Sequence, residues 1–281
     1  YLYANDAQKE LIEDQGLVML RRIDCDKIAT LDEQLRSSIS FTGWSSNVTA
    51  RAAQQSSLFQ WCILACHPNG YTRERAMIAL AKYPEPISLA LALRRCNDWV
   101  SPIRIAARDT AAHLISNLST AELLETWNVF AQVSEGQRHN DISFKETIFP
   151  LLQNRVSSKL LHQQLLSGNS RTRRYAAEIM WETHQALSYS DLQALCNCSD
   201  PYICFRTLRD ILPRIDLRLR TQLLDLIHRK KWAPARLERL RIMMADHPES
   251  TQKQLKEALC DRSGTIRNFA RFHLKQHADI N

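Results

Sequence analysis

Six arginines recur along this chain at a spacing close to 30 residues, and no other feature constrains its fold as strongly. They are Arg75, Arg104, Arg174, Arg206, Arg236 and Arg267, and the single wide step, from 104 to 174, is 70 residues, or two steps of 35. An aspartate stands six residues before three of them, at Asp98, Asp200 and Asp261, and Asn69 holds that place before Arg75. Self-similarity at such a period predicts an array of stacked repeats.

Each repeat is predicted to form a helix, a short turn and a second helix that carries the arginine near its start. Ser101-Pro102 and Asp200-Pro201 place a capping side chain before a proline, which suits the first helical position. An apolar helix precedes each helix that carries such an arginine, as in Pro86 to Cys96 before Arg104 and Leu217 to Ile227 before Arg236. Glycine is scarce, with six in 281 residues, and no long stretch alternates like a strand, so we predict an all-α chain.

The wide step hides one repeat that lacks the arginine. Its first helix is predicted over Thr120 to Val133, opened by a capping box at Ser119 and Glu122. The polar turn 134–140 follows; it is interpreted as a surface loop, with a binding loop as the alternative. A second helix starts at Ile142, and Pro150 is expected to bend or end it.

The first 66 residues are less regular, with helices predicted over 7–22, 27–38 and 48–66. Terminal repeats commonly depart from the consensus. We therefore expect an irregular N-terminal helical cap over 1–66 and one continuous array of about six to seven helix pairs over 67–281. The chain begins at Tyr1 rather than methionine, which suggests a processed chain or a piece of a longer one.

Paired helices with Asp-x5-Arg in the turn resemble HEAT repeats over roughly residues 67 to 277. Asp98, Arg104 and Ala107 match that pattern, as do Asp261, Arg267 and Ala270, whereas Gly168 and Lys230 stand where an aspartate is expected. The resemblance implies a right-handed α-solenoid, whose second helices line the concave face, and a structural ladder through the turns. The ladder residues are Asp98, Arg104, Arg174, Asp200, Arg206, Asp261 and Arg267, and Arg104→Ala is expected to destabilise the fold.

The formal net charge of +7 lies entirely in residues 171–281, which hold 20 basic and 13 acidic residues. This excess predicts an acidic partner, and the alternative interpretation is a solvated face. The residues expected to contact that partner are Arg209, Arg214, Arg218, Arg220, Lys230, Lys231, Arg239, Arg241, Arg271 and Lys275.

Four of the eight cysteines recur near one position of the repeat, at Cys66, Cys96, Cys198 and Cys260. Small buried core residues explain this better than a metal site. The rival ligand sets, Cys62, Cys66 and His67 or Cys196, Cys198 and Cys204, lack paired Cys-x-x-Cys spacing. We expect no metal and no cofactor, a reducing cytoplasmic compartment, and no transmembrane helix, because no run of 18 apolar residues occurs.

No nucleophile elbow, phosphate-binding glycine loop or metal signature appears in the sequence. The predicted function is a non-catalytic scaffold or adaptor that binds a protein partner along its concave face and holds an acidic surface with its basic C-terminal half. The alternative is a nucleic-acid-binding protein, including an enzyme similar to HEAT-like alkylpurine DNA glycosylases. In that alternative, Trp181, Asp210 and Trp232 would hold the damaged nucleotide.

Overall fold

The computed structural model describes residues 6–38, 57–134, 142–182, 187–227, 232–246 and 251–278. Helices and the turns between them fill these ranges, in which no strand occurs. The prediction of an all-α fold is therefore confirmed. The chain divides into two compact units, Tyr1–Ser157 and Ser158–Asn281, called here the N-terminal and C-terminal units. The predicted boundary after residue 66, the continuity of the array and its handedness stay predictions.

In the N-terminal unit the described residues form nine α-helices arranged in helix pairs. They are α1 (Asp6–Arg22), α2 (Ile28–Ser38), α3 (Leu58–Leu64), α4 (Gly70–Leu80), α5 (Pro86–Arg95), α6 (Ser101–Asn117), α7 (Thr120–Glu125), α8 (Trp127–Ser134) and α9 (Ile142–Arg155). Helix α6 packs between α4 and α9 in one layer, and α5 contacts α3 and α8 in the other. Helix α5 is buried along almost its whole length, from Ile87 to Leu93, as its nearly continuous apolar sequence predicts.

The C-terminal unit repeats the same two-layer arrangement in its described residues. Its helices are α10 (Ser158–Ser167), α11 (Ser170–Glu182), α12 (Tyr189–Asn197), α13 (Pro201–Arg206), α14 (Leu217–Ile227), α15 (Ala233–Asp246), α16 (Gln252–Ala258) and α17 (Gly264–Ala278). Helices α10, α12 and α14 contact one another in sequence, as do α13, α15 and α17. The arginines that follow the 30-residue spacing all lie on the second helices of the pairs.

Three details of the predicted helices differ from the structure. The helix expected over Thr120 to Val133 is two helices, because the chain breaks at Thr126, whose hydroxyl donates to the carbonyl of Leu123. Pro150 lies inside α9 without ending it. Ser101 is the first residue of α6 rather than its cap, and the Asp98 carboxylate accepts from the Val100 amide instead. The predicted capping box at Ser119 and Glu122 is present.

In the N-terminal unit the ladder joins the turn before α6 to helix α4. Asp98 accepts two hydrogen bonds from Arg73, at 2.9 Å from Nε and 3.0 Å from Nη2. Arg73 is fully buried, and its Nη1 also donates to the carbonyls of His67 and Pro68. Arg104 donates to the backbone carbonyl of Asp98 at 3.0 Å. The Arg73 guanidinium therefore bonds both the Asp98 carboxylate and two backbone carbonyls of the preceding turn.

The C-terminal unit contains two further ladder contacts. Arg236 donates to both oxygens of Asp261, at 2.9 and 2.8 Å, and Arg267 donates to the Asp261 carbonyl at 2.7 Å. Arg174 donates from Nε to Asp200 at 3.0 Å. In each case the arginine of one second helix reaches the aspartate that opens the next.

Arg75 and Arg206 do not take part in these contacts, although both follow the 30-residue spacing. Arg73, Arg104, Arg236 and Arg267 are each the fourth residue of their helix. Asn69 and Asp200 cap their helices directly, so the residue six positions later is the sixth of the helix. Two residues turn a helix by about 200°, which points Arg75 and Arg206 away from the turn.

The aspartate of the first ladder contact also belongs to a buried chain of charges. Arg95 lies 3.7 Å from Asp98 and forms an ion pair with Asp32 of α2, and its Nε donates to the Ala65 carbonyl at 2.7 Å. Burial acts to raise the pKa of Asp32, but the charges of Arg95 and Arg36 outweigh it and lower that pKa. This series of ion pairs fixes helix α2 against the first ladder turn.

Candidate functional site

Arginine and aromatic side chains alternate across helices α11 and α13 of the C-terminal unit. The Arg174 guanidinium lies 5.2 Å from the centre of the Tyr202 ring, and that of Arg209 lies 5.3 Å from the Phe205 ring. Arg206 covers Trp181 at 4.4 Å. We call Arg174, Tyr202, Phe205, Arg206 and Arg209 the arginine–aromatic surface. A cation over a ring face is attracted by the ring quadrupole, and its charged group stays accessible to solvent.

Trp181 anchors this surface from below. Its ring is 5 % exposed, and its Nε1 donates to the hydroxyl of Thr207 at 3.0 Å. The edge of the ring meets Tyr202, with ring centres 6.4 Å apart. Phe205 meets Trp232 in the same edge-to-face manner at 5.7 Å. The aromatic groups therefore form a packed base under the exposed guanidiniums.

A single π-helical turn, Thr207–Ile211, continues α13. A π turn accommodates one extra residue in the helix. The Thr207 hydroxyl donates to the carbonyl of Ile203 at 2.8 Å while it accepts from Trp181. Arg209 and Asp210 lie inside this turn and face solvent to different degrees, with side chains 56 % and 34 % exposed.

Carboxylates are interspersed among the arginines. Arg209 donates to both oxygens of Asp210, at 2.7 and 3.1 Å, and Arg206 lies 3.6 Å from the same carboxylate. The hydrogen bond from Arg209 lowers the pKa of Asp210, assisted by the charge of Arg206. Glu178 lies 3.9 Å from Arg206 on its other side. The surface is thus of mixed sign, and Asp210 is ionised at neutral pH.

The basic residues expected to contact a partner divide into three groups. Arg209, Arg214, Arg218, Arg241, Arg271 and Lys275 are exposed. Arg220 is mostly covered and bonded to Asp246 at 2.6 Å. Arg239 is buried, donates to the Leu224 carbonyl, and has its pKa lowered by that burial. Arg220 and Arg239 are therefore engaged in contacts within the unit, and their contact with a partner stays a prediction. Lys230 and Lys231 lie outside the described residues, as does the 134–140 turn apart from Ser134.

The cysteines are part of the core, with one exception. Seven of the eight are buried, and Cys260 is exposed. Burial raises the pKa of Cys25, Cys66 and Cys96 to about 12. The expectation that Cys260 is a core residue is therefore wrong, because it lies in the turn after α16. The described residues contain no group of three His, Cys, Asp or Glu side chains arranged to hold a metal ion.

Ser158, His162 and Asp191 meet between α10 and α12, in an arrangement that resembles a hydrolase triad only in composition. The Nε2 of His162 lies 2.8 Å from Asp191 and 3.5 Å from the Ser158 hydroxyl. In a triad the two ring nitrogens separate these contacts, whereas here one nitrogen makes both. Asp191 also accepts from the Ser188 amide and hydroxyl in a capping box. The cluster ties two helices together.

Two of three comparisons with known proteins find no match. No protein-family model matches the chain, and no curated protein sequence does. A solved structure that it is similar to is the archaeal HEAT-like repeats protein from Thermococcus onnurineus NA1, at 14 % identity with a TM-score of 0.33. That alignment covers 80 % of this chain and 97 % of the archaeal one. No helix in the described ranges is long and apolar enough to cross a membrane.

Sequence reasoning missed two sets of residues. Arg73 makes the most buried ladder contact, and the only signal for it was a helix start directly after Asn69. A second set lies on α4, on α6 and in the turn before α6, where Tyr71, Ile78, Ile105 and Trp99 are exposed. Helical spacing identifies the residues on the helices as part of an exposed face only once the buried face of each helix is known.

Proposed function

We propose that this chain is a non-catalytic binding scaffold that holds an acidic protein partner on the arginine–aromatic surface of its C-terminal unit. The observation that carries the proposal is the stacking of partly exposed guanidiniums on aromatic rings, Arg174 over Tyr202 and Arg209 over Phe205. Arginine and aromatic residues are the types that supply most of the binding energy at protein interfaces. A guanidinium already held over a ring loses little freedom when it meets a carboxylate.

The mixed sign of the surface favours a protein over a nucleic acid. Asp210 and Glu178 stand between the arginines, where a continuous phosphate backbone would meet them as like charges. A protein surface can place its own basic groups opposite these carboxylates. A protein partner therefore matches the alternation of charges, whereas a polyanion matches only the arginines.

The glycosylase alternative gains no support from the same contacts. Trp181 is buried with Arg206 across its face, so it offers no open ring on which a flipped base could stack. Asp210 is engaged by two arginines. Trp232 packs against Phe205 with the two rings perpendicular. These three residues act in packing and in ion pairs within the C-terminal unit.

Fluorescence anisotropy tests the proposal with two labelled probes, a glutamate-rich peptide with interspersed lysines and a DNA duplex, at low and high salt. The test variant is Arg209→Glu, which reverses an exposed guanidinium of the arginine–aromatic surface. The control is Arg75→Glu, which reverses one exposed arginine of the N-terminal unit. We expect the peptide to bind wild type and the control and to lose at least about tenfold affinity in the test variant.

Two outcomes would overturn the proposal. Absence of peptide binding at low salt would exclude an acidic partner for this surface. Tighter binding to DNA than to the peptide, with an affinity that falls steeply as salt rises, would assign the surface to a phosphate backbone.

A further inference from the structure

An open groove runs between the exposed faces of α4 and α6 in the N-terminal unit. Its volume is about 550 Å³, and its lining includes Glu74, Ile78, Ile105, Asp109 and His113. Ile78 is 60 % exposed and Ile105 is 48 % exposed. Each isoleucine lies one helical turn from a carboxylate of the lining, Ile78 from Glu74 and Ile105 from Asp109. The groove is thus an apolar strip with an acidic residue on each wall.

Two exposed aromatic residues come from the chain beside the first turns of α4 and α6, the helices that line the groove. A side-chain carbon at Gly70 would lie 3.6 Å from Ile103 and 3.9 Å from Val100, so the first turns of α4 and α6 adjoin. Tyr71 and Trp99 come directly beside these contacts in the chain, and they are 82 % and 68 % exposed. Tyrosine and tryptophan this exposed, next to an apolar strip, are typical of interaction surfaces.

The charge of the groove is one-sided. Glu74 and Asp109 form no ion pair with any residue that the structure describes. The lining includes no lysine or arginine, although Arg75 and Arg108 are their neighbours in sequence. A carboxylate on each side of an apolar strip is complementary to a cation carried beside an apolar side chain.

We propose that this groove binds an amphipathic helix of a partner protein that carries lysine or arginine beside its apolar face. Apolar side chains at the i, i+3, i+4 and i+7 positions of such a helix would cover Ile78 and Ile105. Its cations would reach Glu74 and Asp109, and its end would meet Tyr71 and Trp99. The groove lies within the N-terminal unit. Its basic ligand is opposite in charge to the acidic partner proposed for the arginine–aromatic surface.

The test uses the whole chain and a synthetic labelled helical peptide with leucines along one face and lysines beside them. We expect saturable binding that weakens by about tenfold or more in the double variant Ile78→Ser, Ile105→Ser. The double variant Glu74→Lys, Asp109→Lys should lose the lysine peptide and gain a matched peptide with glutamates in place of the lysines. All the substituted side chains reach solvent, so thermal unfolding followed by circular dichroism should stay close to wild type.

Leu166→Ser is the matched control, because it removes a 77 % exposed leucine from α10 of the C-terminal unit. Equal binding to wild type and to the Ile78→Ser, Ile105→Ser variant would overturn the proposal. Failure of the charge swap would overturn its electrostatic part. A concentration-dependent dimer that this variant abolishes, without peptide binding to wild type, would assign the groove to a second copy of the chain and would also overturn it.

Discussion

Arg73 and Asp98 form a paired, fully buried ion contact 25 residues apart in the sequence, with N–O distances of 2.9 and 3.0 Å. The side chains are 0 % and 1 % exposed. Taking either partner away leaves a charge in a place that water does not reach, which commonly costs about 3–5 kcal/mol. The contact therefore holds the turn between α5 and α6 against the start of α4, and two repeats stack in one register.

Arg73→Ala should lower the free energy of unfolding by about 3–5 kcal/mol because Asp98 and the carbonyls of His67 and Pro68 lose their donor. Arg75→Ala is the matched control, two residues away on the same helix and exposed, and it should change stability by less than about 0.5 kcal/mol. Urea unfolding measures both. Arg104→Ala should fall between them, since Arg104 donates to the Asp98 carbonyl alone among the described contacts. Equal effects of Arg73→Ala and Arg75→Ala would contradict the ladder.

Stability should fall at acid pH through Asp261. The hydrogen bonds from Arg236 hold the pKa of Asp261 below its ordinary value of 3.8. A lowered pKa in the folded state contributes stability above pH 3.8, and this contribution is lost as the pH falls through the folded pKa. Asp261→Asn should cost about 1–2 kcal/mol at neutral pH. The difference in stability between wild type and Asp261→Asn should disappear below about pH 4. Urea midpoints measured across this pH range test the prediction, and a difference that stays constant would contradict it.

One thiol should react in the native chain. Cys260 is exposed, while the other seven cysteines are buried, and the raised pKa of groups such as Cys66 keeps them as unreactive thiols. Ellman's reagent should therefore titrate a single thiol quickly and the remainder only after unfolding. Cys260→Ser should abolish the fast phase, and a fast phase that survives this substitution would show a second accessible thiol.

The hydrogen bond from Trp181 to Thr207 should stabilise the π turn. Thr207→Val leaves the buried Trp181 Nε1 without its acceptor, which should cost about 1–3 kcal/mol. In a Trp181→Phe background the same change should cost less, since only the bond to the Ile203 carbonyl is then lost. A double-mutant cycle by urea unfolding measures this coupling. Additive effects would mean that the two side chains act independently.

Periodicity alone predicted the all-α fold and most helix positions, such as Leu217–Ile227. Helix patterning is local, so apolar spacing and capping residues suffice to place the elements. The same reasoning identified the aspartates of the ladder, because Asp98, Asp200 and Asp261 each also bond a backbone amide two residues later. Those amide bonds depend on residues next to one another in the chain.

Tertiary structure decided which arginine meets which aspartate. The direction of a side chain turns by about 100° per residue, so a shift of two residues in where a helix begins exchanged Arg75 for Arg73 and carried Arg206 over Trp181. It also decided that Arg239 is buried while Arg209 is exposed, although both belong to one basic stretch. Sequence determined the kinds of element and their order, whereas the faces they present depend on how neighbouring helices pack, which no single stretch of sequence contains.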